Sequence, residues 1–401
     1  MKNNISLIRS SACTACAACF AVCPAGAIST EMDAAGFLRA KADDEKCIEC
    51  GMCNVVCPLG KCENGADLFG IPPLALQSCD GAVLKNSASG GIAHELAEKE
   101  LICGGKVVGA VYDPTDDRVC HRIITDASDI RFLDGSKYLQ SDTGAAFKAV
   151  VERAKEEHFA VFGTPCQISG LHAAAKKLGV RKNLLLVEIF CHGVPSYRLW
   201  EEQLEKMRAK TGAVKFKSLT FRDKSMGWHN YRLTVSDGQR KYCGDRETTL
   251  FWQVYFEDVL LNDACYSCTA RLSNSLADIR IGDYWGALHQ SRTDGVSLVF
   301  PITESGQSAI DALIQSGKVL RLESTDAAEA LRYQNMKPYP ESDLHKNAMR
   351  DLAVGKPVGT VIKEYRKRQP LAKKLKRTVL VFSAMIPQGL RQRLKRMRNK
   401  Q

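Results

Sequence analysis

Cys13-Thr-Ala-Cys16-Ala-Ala-Cys19-Phe-Ala-Val-Cys23-Pro24 and Cys47-Ile-Glu-Cys50-Gly-Met-Cys53-Asn-Val-Val-Cys57-Pro58 decide how this chain begins to fold. Both runs have the form C-x₂-C-x₂-C-x₃-C-P. Three closely spaced thiolates can wrap one corner of a cube, while the proline stops the helical turn and throws the fourth cysteine outward. The spacing predicts two [4Fe–4S] cubanes, each taking three thiolates from one run and its fourth from the other. One would use Cys13, Cys16, Cys19 and Cys57; the other would use Cys47, Cys50, Cys53 and Cys23. Zinc knuckles pair their cysteines or combine them with histidine, and neither they nor a disulfide framework call for this spacing with a terminal proline. Electron transfer is the implied chemistry.

In these two runs residues 1–62 resemble a bacterial-type ferredoxin. Of the 401 residues, 45% are hydrophobic and 25% charged, a globular composition with room for a small domain and a larger one. The start, MKNNISLIRSSAC, lacks the continuous apolar core of a secretory leader. Thiolate ligands need a reducing compartment, so the expected location is cytoplasmic. The net charge of +11 is uneven: Val361–Gln401 carries seven Lys, seven Arg and one acid, Glu364, which leaves the rest at −2. Within that tail the apolar stretch Thr378–Ile386 lies between the basic runs Lys373–Arg377 and Arg391–Lys400. It is too short to span a bilayer, which takes about 20 helical residues. A basic amphipathic segment can instead lie on an anionic membrane, where each Lys or Arg contributes about 1 kcal/mol. A peripheral membrane contact is therefore one expectation; a solvated helix or a docking arm for an acidic partner are the others. The tail lacks the interleaved aromatics of a base-stacking platform, which argues against nucleic acid.

Beyond the cysteine runs the pattern predicts an α+β chain. A small ferredoxin-like two-cluster domain (1–62) precedes a linker (63–77), a larger mixed α/β domain (78–345) and a helical basic tail (346–401). In the first unit, Ala27–Thr30 and Gly36–Arg39 read as short strands around a turn. In the second, helices are expected over Gly91–Glu100, Phe147–Glu157 and Ile168–Leu178. Strands are expected over Lys106–Tyr112, Phe159–Phe162, Asn183–Phe190, Lys215–Phe221, Tyr231–Ser236 and Ile279–Ile281. Such alternation argues a largely parallel or mixed sheet, whose ligands collect beyond the carboxyl ends of strands. Cys166 and Cys191 fall there.

Several segments of the larger domain stand out together. Ser87-Ala-Ser-Gly-Gly91 opens a helix whose N-terminal N–H groups can hold a phosphate, although such an entry is often only a cap. Gly135-Ser-Lys-Tyr-Leu-Gln-Ser-Asp142 concentrates a cation, hydroxyls and an amide. Gly163-Thr-Pro-Cys-Gln167, Phe190-Cys-His-Gly-Val-Pro195, Phe221-Arg-Asp-Lys224, Cys265-Tyr-Ser-Cys268 and Ala277-Asp-Ile-Arg-Ile-Gly-Asp-Tyr-Trp-Gly286 follow. In this order, from about Cys79 to Tyr365 and including Gly295-Val-Ser-Leu-Val299, the chain resembles the β-subunit family of coenzyme F420 hydrogenases and dehydrogenases. A fused N-terminal ferredoxin unit is a known arrangement in that family.

The resemblance implies an iron–sulfur flavoprotein oxidoreductase that binds FAD, with ferredoxin or another electron-transfer protein on one side and coenzyme F420 or another small molecule on the other. By analogy Ser89, Gly90, Gly91, Lys137, Tyr138, Gln140 and Ser141 are the expected flavin contacts. Lys137 near the ring would stabilise a reduced, anionic flavin; an exposed salt bridge is its plainer role. The family pattern also suggests a third [4Fe–4S] cluster on Cys166, Cys191, Cys265 and Cys268, with zinc or plain buried thiols as alternatives. No catalytic residue is evident; Lys137 and His192 are the weak candidates, and a structural histidine explains the latter as well. Arg222, Asp223 and Lys224 suit either an anionic substrate group or a strand-end salt bridge. Cys62, Cys79, Cys103, Cys120 and Cys243 lack ligand spacing and are expected to pack. An electron-transfer subunit of a hydrogenase- or formate dehydrogenase-type complex, without substrate specificity of its own, is the alternative to an enzyme.

Overall fold

Left-handed backbone at matching places lets each cysteine run curl around a centre. Ala15 and Ala17 in the first run, and Glu49 and Gly51 in the second, all have φ between 53° and 70°, at the same offsets from Cys13 and Cys47. Non-glycine residues adopt that conformation rarely, and here it turns the Ala15 N–H back onto the Cys13 sulfur at 3.3 Å. Each curl ends in one helical turn, α1 (Ala18–Val22) in the first run. Between the runs, β1 (Ile28–Met32) and β2 (Leu38–Ala42) form an antiparallel hairpin. Asp33 shapes its turn by accepting from the Ala35 and Phe37 N–H groups at 3.0 and 2.9 Å. The second run ends in α2 (Met52–Val55). The computed structural model describes residues 3–7, 12–59, 63–337, 339, 342–375 and 377–378.

The segment 63–77, expected as a linker, is built into the larger domain. It holds β3 (Ala66–Asp67) and most of β4 (Leu74–Ser78), whose five residues are all buried. The glycine and proline signals that suggested a connection all precede this strand. There follow α3 (Gly81–Asn86), α4 (Ile92–Ile102), β5 (Lys106–Asp113), β6 (Arg118–Ile124), β7 (Ser141–Asp142), α5 (Gly144–Arg153), β8 (Phe159–Gly163), α6 (Pro165–Lys177) and β9 (Leu184–Ile189). Next come α7 (Tyr197–Thr211), β10 (Ser218–Asp223), β11 (Arg232–Ser236), β12 (Lys241–Asp245), α8 (Leu250–Phe256), α9 (Asp263–Tyr266), β13 (Asn274–Ser275) and β14 (Ile279–Asp283). The chain then forms β15 (Ser297–Pro301), α10 (Glu304–Gln315), β16 (Val319–Leu322), α11 (Ala327–Arg332), α12 (Asp343–Ala353) and α13 (Val358–Arg368).

The main sheet has the order β16-β4-β15-β14-β9-β8-β5-β6-β7. Its four central strands, β14, β9, β8 and β5, run parallel, and antiparallel strands flank them on both sides. The central strands read as continuous apolar runs because both faces are covered. Phe159, Val161, Leu184 and Leu186 pack under α5 and α6, whereas Ala160, Leu185 and Val187 pack with Ile92, Leu96 and Ile310 from α4 and α10. The first of these layers also takes in Ala18, Ala21, Val22 and Val56, so the N-terminal unit shares a core with the larger domain.

A second sheet, β10-β11-β12, is antiparallel. It joins α7, α8, α12 and α13 in an aromatic-rich cluster that includes Trp200, Phe221, Phe251, Trp252, Leu352 and Val361. The residues expected to open a basic tail therefore begin inside this core: Ala348, Met349, Leu352, Val358, Val361 and Ile362 are all buried. Their apolar spacing was outweighed in the sequence by the charges between them. The apolar stretch 379–386, the basic run 391–400 and the membrane contact expected of them lie outside the described residues. Among the described residues no helix is long and apolar enough to cross a membrane.

Candidate functional site

The two ferredoxin-like runs bring their sulfurs together across the unit. Burial raises the Cys16 thiol well above its usual range, and the neighbouring Cys19, Cys166 and Cys57 raise it further. Cys19 is pushed up to about 12 by burial, then by Cys13, Cys57 and Cys53. Cys53 is raised by burial, with Cys23 close enough to add to it. The proline-terminated fourth cysteine of each run thus lies beside the other run. Main-chain and side-chain donors already face these sulfurs: the Ala27 N–H meets Cys23 Sγ at 3.3 Å and Asn4 Nδ2 meets Cys47 Sγ at 3.5 Å. Cysteines brought together in this way, with Cys16, Cys19 and Cys53 buried, repel one another as thiolates and suit a multiply charged iron–sulfur core that would supply the missing positive charge. Cys62 lies outside the described residues.

A second convergence forms past the carboxyl ends of adjacent parallel strands. Cys166 follows β8 in the first turn of α6, whose start is fixed by Pro165 and by a capping box in which the Thr164 N–H donates to Gln167 Oε1 at 2.9 Å. Cys191 follows β9 by one residue beyond Phe190. Cys265 lies in α9, capped by Asn262, which accepts from the Ala264 N–H at 3.0 Å. Burial drives Cys166, Cys191 and Cys265 each up to about 12, and each is raised further by others of the set, Cys268 included. All four line one cavity. The loop after Cys268 is anchored by Arg280, which donates to Leu272 O at 2.5 Å and Ala270 O at 3.2 Å and pairs with Glu188 on the neighbouring strand. The donor set fits an iron–sulfur cluster as the first two do. Among the described residues no group of three or more His, Cys, Asp or Glu is placed to hold a single metal ion.

The sulfur sets form a line. Cys53 neighbours Cys19, and Cys16 neighbours Cys166. Gly170 makes the second approach close: a Cβ there would lie 2.7 Å from Cys16 Sγ. Hydrogen bonds fasten the same junction. Arg39 Nη1 donates to Cys13 O at 2.6 Å and Asn262 Oδ1 at 2.9 Å, and Thr143 Oγ1 donates to Cys16 O at 3.0 Å.

The cavity beyond Cys166 has a volume of about 500 Å³, within the range of small-molecule sites. Ser89, Gly91, Lys137, Tyr138, Gln140 and Ser141 line it; Gly90 does not. The Gly90 N–H is committed to Ser297 Oγ at 3.0 Å, and a Cβ there would meet Leu76 O at 2.5 Å, so this glycine serves packing against the sheet. Gln140 also differs from expectation: its amide accepts from the Leu38 N–H at 2.7 Å and donates to Thr14 O at 3.2 Å, tying the two units together. Ser141 Oγ is paired with His121 Nδ1 at 2.7 Å, while His121 Nε2 meets Phe162 O at 2.9 Å. Burial lowers His121 to about 4, so the imidazole is neutral and structural. Lys137 Nζ donates to Phe132 O and Asp134 O, both at 2.9 Å, and desolvation lowers it to about 7, with Asp134 opposing.

His192 lines the cavity, but both ring nitrogens are engaged, Nε2 with Asp258 at 2.7 Å and Nδ1 with Asn335 at 2.9 Å. Asp223 turns away to Thr234 Oγ1 and Lys241. Lys224 holds Ser89 O and Asp294 O, whereas Arg222 faces the cavity. Two residues that the sequence did not single out also face it, His94 and Trp285. His94 pairs with Asp134 at 2.8 Å, a hydrogen bond that raises its pKa. Trp285 stood within a quoted motif; His94 carried no signal beyond its place after Gly91. Cys79, Cys103 and Cys243, expected to pack, are exposed.

A line of cysteine sets ending at a ligand-sized cavity defines a class of iron–sulfur electron-transfer protein. Residues 12–61 match a 4Fe–4S dicluster domain, and residues 156–327 match the family formed by the C-terminal part of the coenzyme F420 hydrogenase/dehydrogenase beta subunit. The coenzyme F420 hydrogenase subunit beta of Methanococcus voltae is 23% identical over 260 residues, covering 63% of this chain and 84% of that protein. A chain of the F420-reducing [NiFe] hydrogenase complex from Methanosarcina barkeri is 19% identical, covering 77% of this chain and 93% of that one, with a TM-score of 0.48.

Proposed function

We propose that this chain is an iron–sulfur flavoprotein oxidoreductase that passes electrons between its cysteine-bound clusters and a flavin held in the cavity, with coenzyme F420 or another organic compound as redox partner. The observation that carries this reading is the continuity of the three sulfur sets, the last of which forms a wall of the cavity. A bound flavin would supply the exchange between a hydride and single electrons. The chain's own groups would do the rest. The N-terminal residues Ile92, Ala93 and His94 of α4 open on the cavity, where the positive end of the helix favours a phosphate. Lys137, at about 7, can hold or release a proton at Nζ near neutral pH, and the His94–Asp134 pair offers a second proton-holding site on the same wall.

A second reading, an electron-transfer subunit without its own substrate, is favoured by the outer end of the line. Cys50 is exposed, and Ile48 and Val55 in the same run are each 65% exposed, an apolar patch suited to docking a redox protein. The deciding experiment uses full-length protein reconstituted without oxygen with iron, sulfide and FAD. Bleaching of the flavin band by reduced F420, followed by loss of cluster absorbance, supports the enzyme with F420 as partner. Reduction by reduced ferredoxin but not by F420 points to another substrate. A protein that takes up iron but no flavin refutes the flavoprotein reading and leaves the electron-transfer role.

A further inference from the structure

Arg222, the fifth residue of β10, is only 4% exposed, yet its guanidinium is half used. Nη1 donates to the Asp283 carboxylate and the Tyr138 hydroxyl approaches the guanidinium, whereas Nε and Nη2 make no well-formed hydrogen bond among the described residues. Those two nitrogens share one edge of the group, the edge that makes two parallel bonds to a planar acceptor pair. Two aromatic rings pack on it: the guanidinium carbon lies 4.5 Å from the Tyr231 ring centroid and 5.4 Å from that of Trp285. Trp285 stacks on Trp228 at 4.9 Å, and Trp228 Nε1 donates to Asp283 at 2.6 Å. Two rings and the Asp283 carboxylate thus hold the guanidinium in place. Arg222, Tyr231, Trp285 and Asp283 all line the cavity.

Leaving two donors of a buried cation unpaired is costly. We propose that this open edge anchors the cavity's ligand, which presents two adjacent coplanar acceptors sharing a negative charge: a carboxylate, or the N–C=O edge of a reduced flavin or deazaflavin ring. The aromatic surroundings, with Tyr138 beside Arg222 and Tyr231, favour a flat ligand over a tetrahedral phosphate. Asp283 pairs with Arg222, and Lys224, near both, has the Asp294 carboxylate beside it as well. The inference rests on the reading that the cavity holds a redox ligand, and it assigns the residue that orients it.

The test uses the full chain with its clusters reconstituted, and Arg222→Lys, which keeps a cation against Asp283 but removes the paired donors. If that variant does not fold, Arg222→Met combined with Asp283→Asn removes both charges together. Binding of FAD, coenzyme F420 and benzoate (a planar carboxylate) is titrated separately by fluorescence or calorimetry. The expected result is an affinity loss of about tenfold or more for at least one probe. Loss for FAD assigns the edge to a resident flavin; loss for F420 or benzoate alone assigns it to a second ligand. If FAD fails to bind the unaltered chain while benzoate binds through Arg222, the flavin reading falls and the anchor stands. Equal binding of every probe to both chains, or no binding of any probe, overturns the proposal and leaves the edge to water.

Discussion

Replacing Gly170 by alanine tests whether the first and third sulfur sets are held in contact. The new methyl carbon would lie 2.7 Å from Cys16 Sγ, 3.1 Å from Ala18 Cβ and 3.2 Å from Cys16 Cβ. Nonbonded carbon contacts are optimal at about 3.5–4.0 Å, so the overlap with the sulfur is roughly 1 Å. Alanine gains about 1 kcal/mol over glycine within a helix, while overpacking of this kind costs about 1–3 kcal/mol. The balance depends on the sulfur. In the metal-free chain rotation of the Cys16 side chain relieves the sulfur contact and leaves those with the two β-carbons, so the cost falls to the lower end of that range and is largely offset. With its sulfur tied to a cluster Cys16 cannot rotate, so α6 or the first run must shift. The expected outcome is a metal-free melting temperature close to the original, together with loss of about one cubane of iron per chain or faster bleaching of cluster absorbance in air. Gly81→Ala, where nothing lies within 4 Å, is the control. Iron content and cluster stability equal to the original in Gly170→Ala would refute the idea that Cys16 is immobilised there.

Glu188→Gln leaves Arg280 uncompensated in a site where both side chains are 1% exposed, and should cost about 3–5 kcal/mol in chemical denaturation. It should also loosen the Cys265–Cys268 loop, read as lower iron content. His121 is neutral in the folded chain, with a pKa of about 4 against an ordinary value near 6.5. The unfolded chain therefore binds the extra proton first as pH falls, and stability is lost between about 6.5 and 4, by up to about 3 kcal/mol. His121→Gln should flatten that part of the pH–stability curve; an unchanged slope would show that the imidazole is not the cause. Lys137→Met should remove an inflection near pH 7 from the rate of flavin reduction, with FAD uptake retained; an inflection that persists assigns it elsewhere.

The cysteine runs were legible because most of their chemistry is local: spacing gathers three sulfurs of each run at one centre, and only the fourth comes from the other run. The α/β pattern was legible for the same reason, and Phe159–Phe162 and Asn183–Phe190 fall on β8 and β9 almost residue for residue. What was hidden depends on partners far away in sequence. β4 looked like a linker because Pro72 and Pro73 precede it, yet pairing with β15 and β16 makes it a buried strand. The helices α12 and α13 looked like a tail because their exposed faces are charged. At the cavity, Gln140 carried the right chemistry for a ligand, but its amide meets Leu38 and Thr14. Arg222 was quoted among the motifs; only the fold shows that Asp283 engages one of its edges and leaves the other open.

The seam between the N-terminal unit and the larger domain carries one more implication. Arg39, Gln140, Thr143 and Asn262 cross it with hydrogen bonds, and α1 contributes to the core beneath α5 and α6. Such a unit is no detachable cartridge that swings between donor and acceptor. On the proposed function, its distance to the cavity would be set once, at folding, and electrons would pass without waiting on a hinge. A chain truncated before residue 63 would bare the apolar flank of α5 and α6, so the two halves should survive partial proteolysis or fail together, and grafting a foreign ferredoxin in front of residue 63 should yield insoluble protein rather than a rewired one.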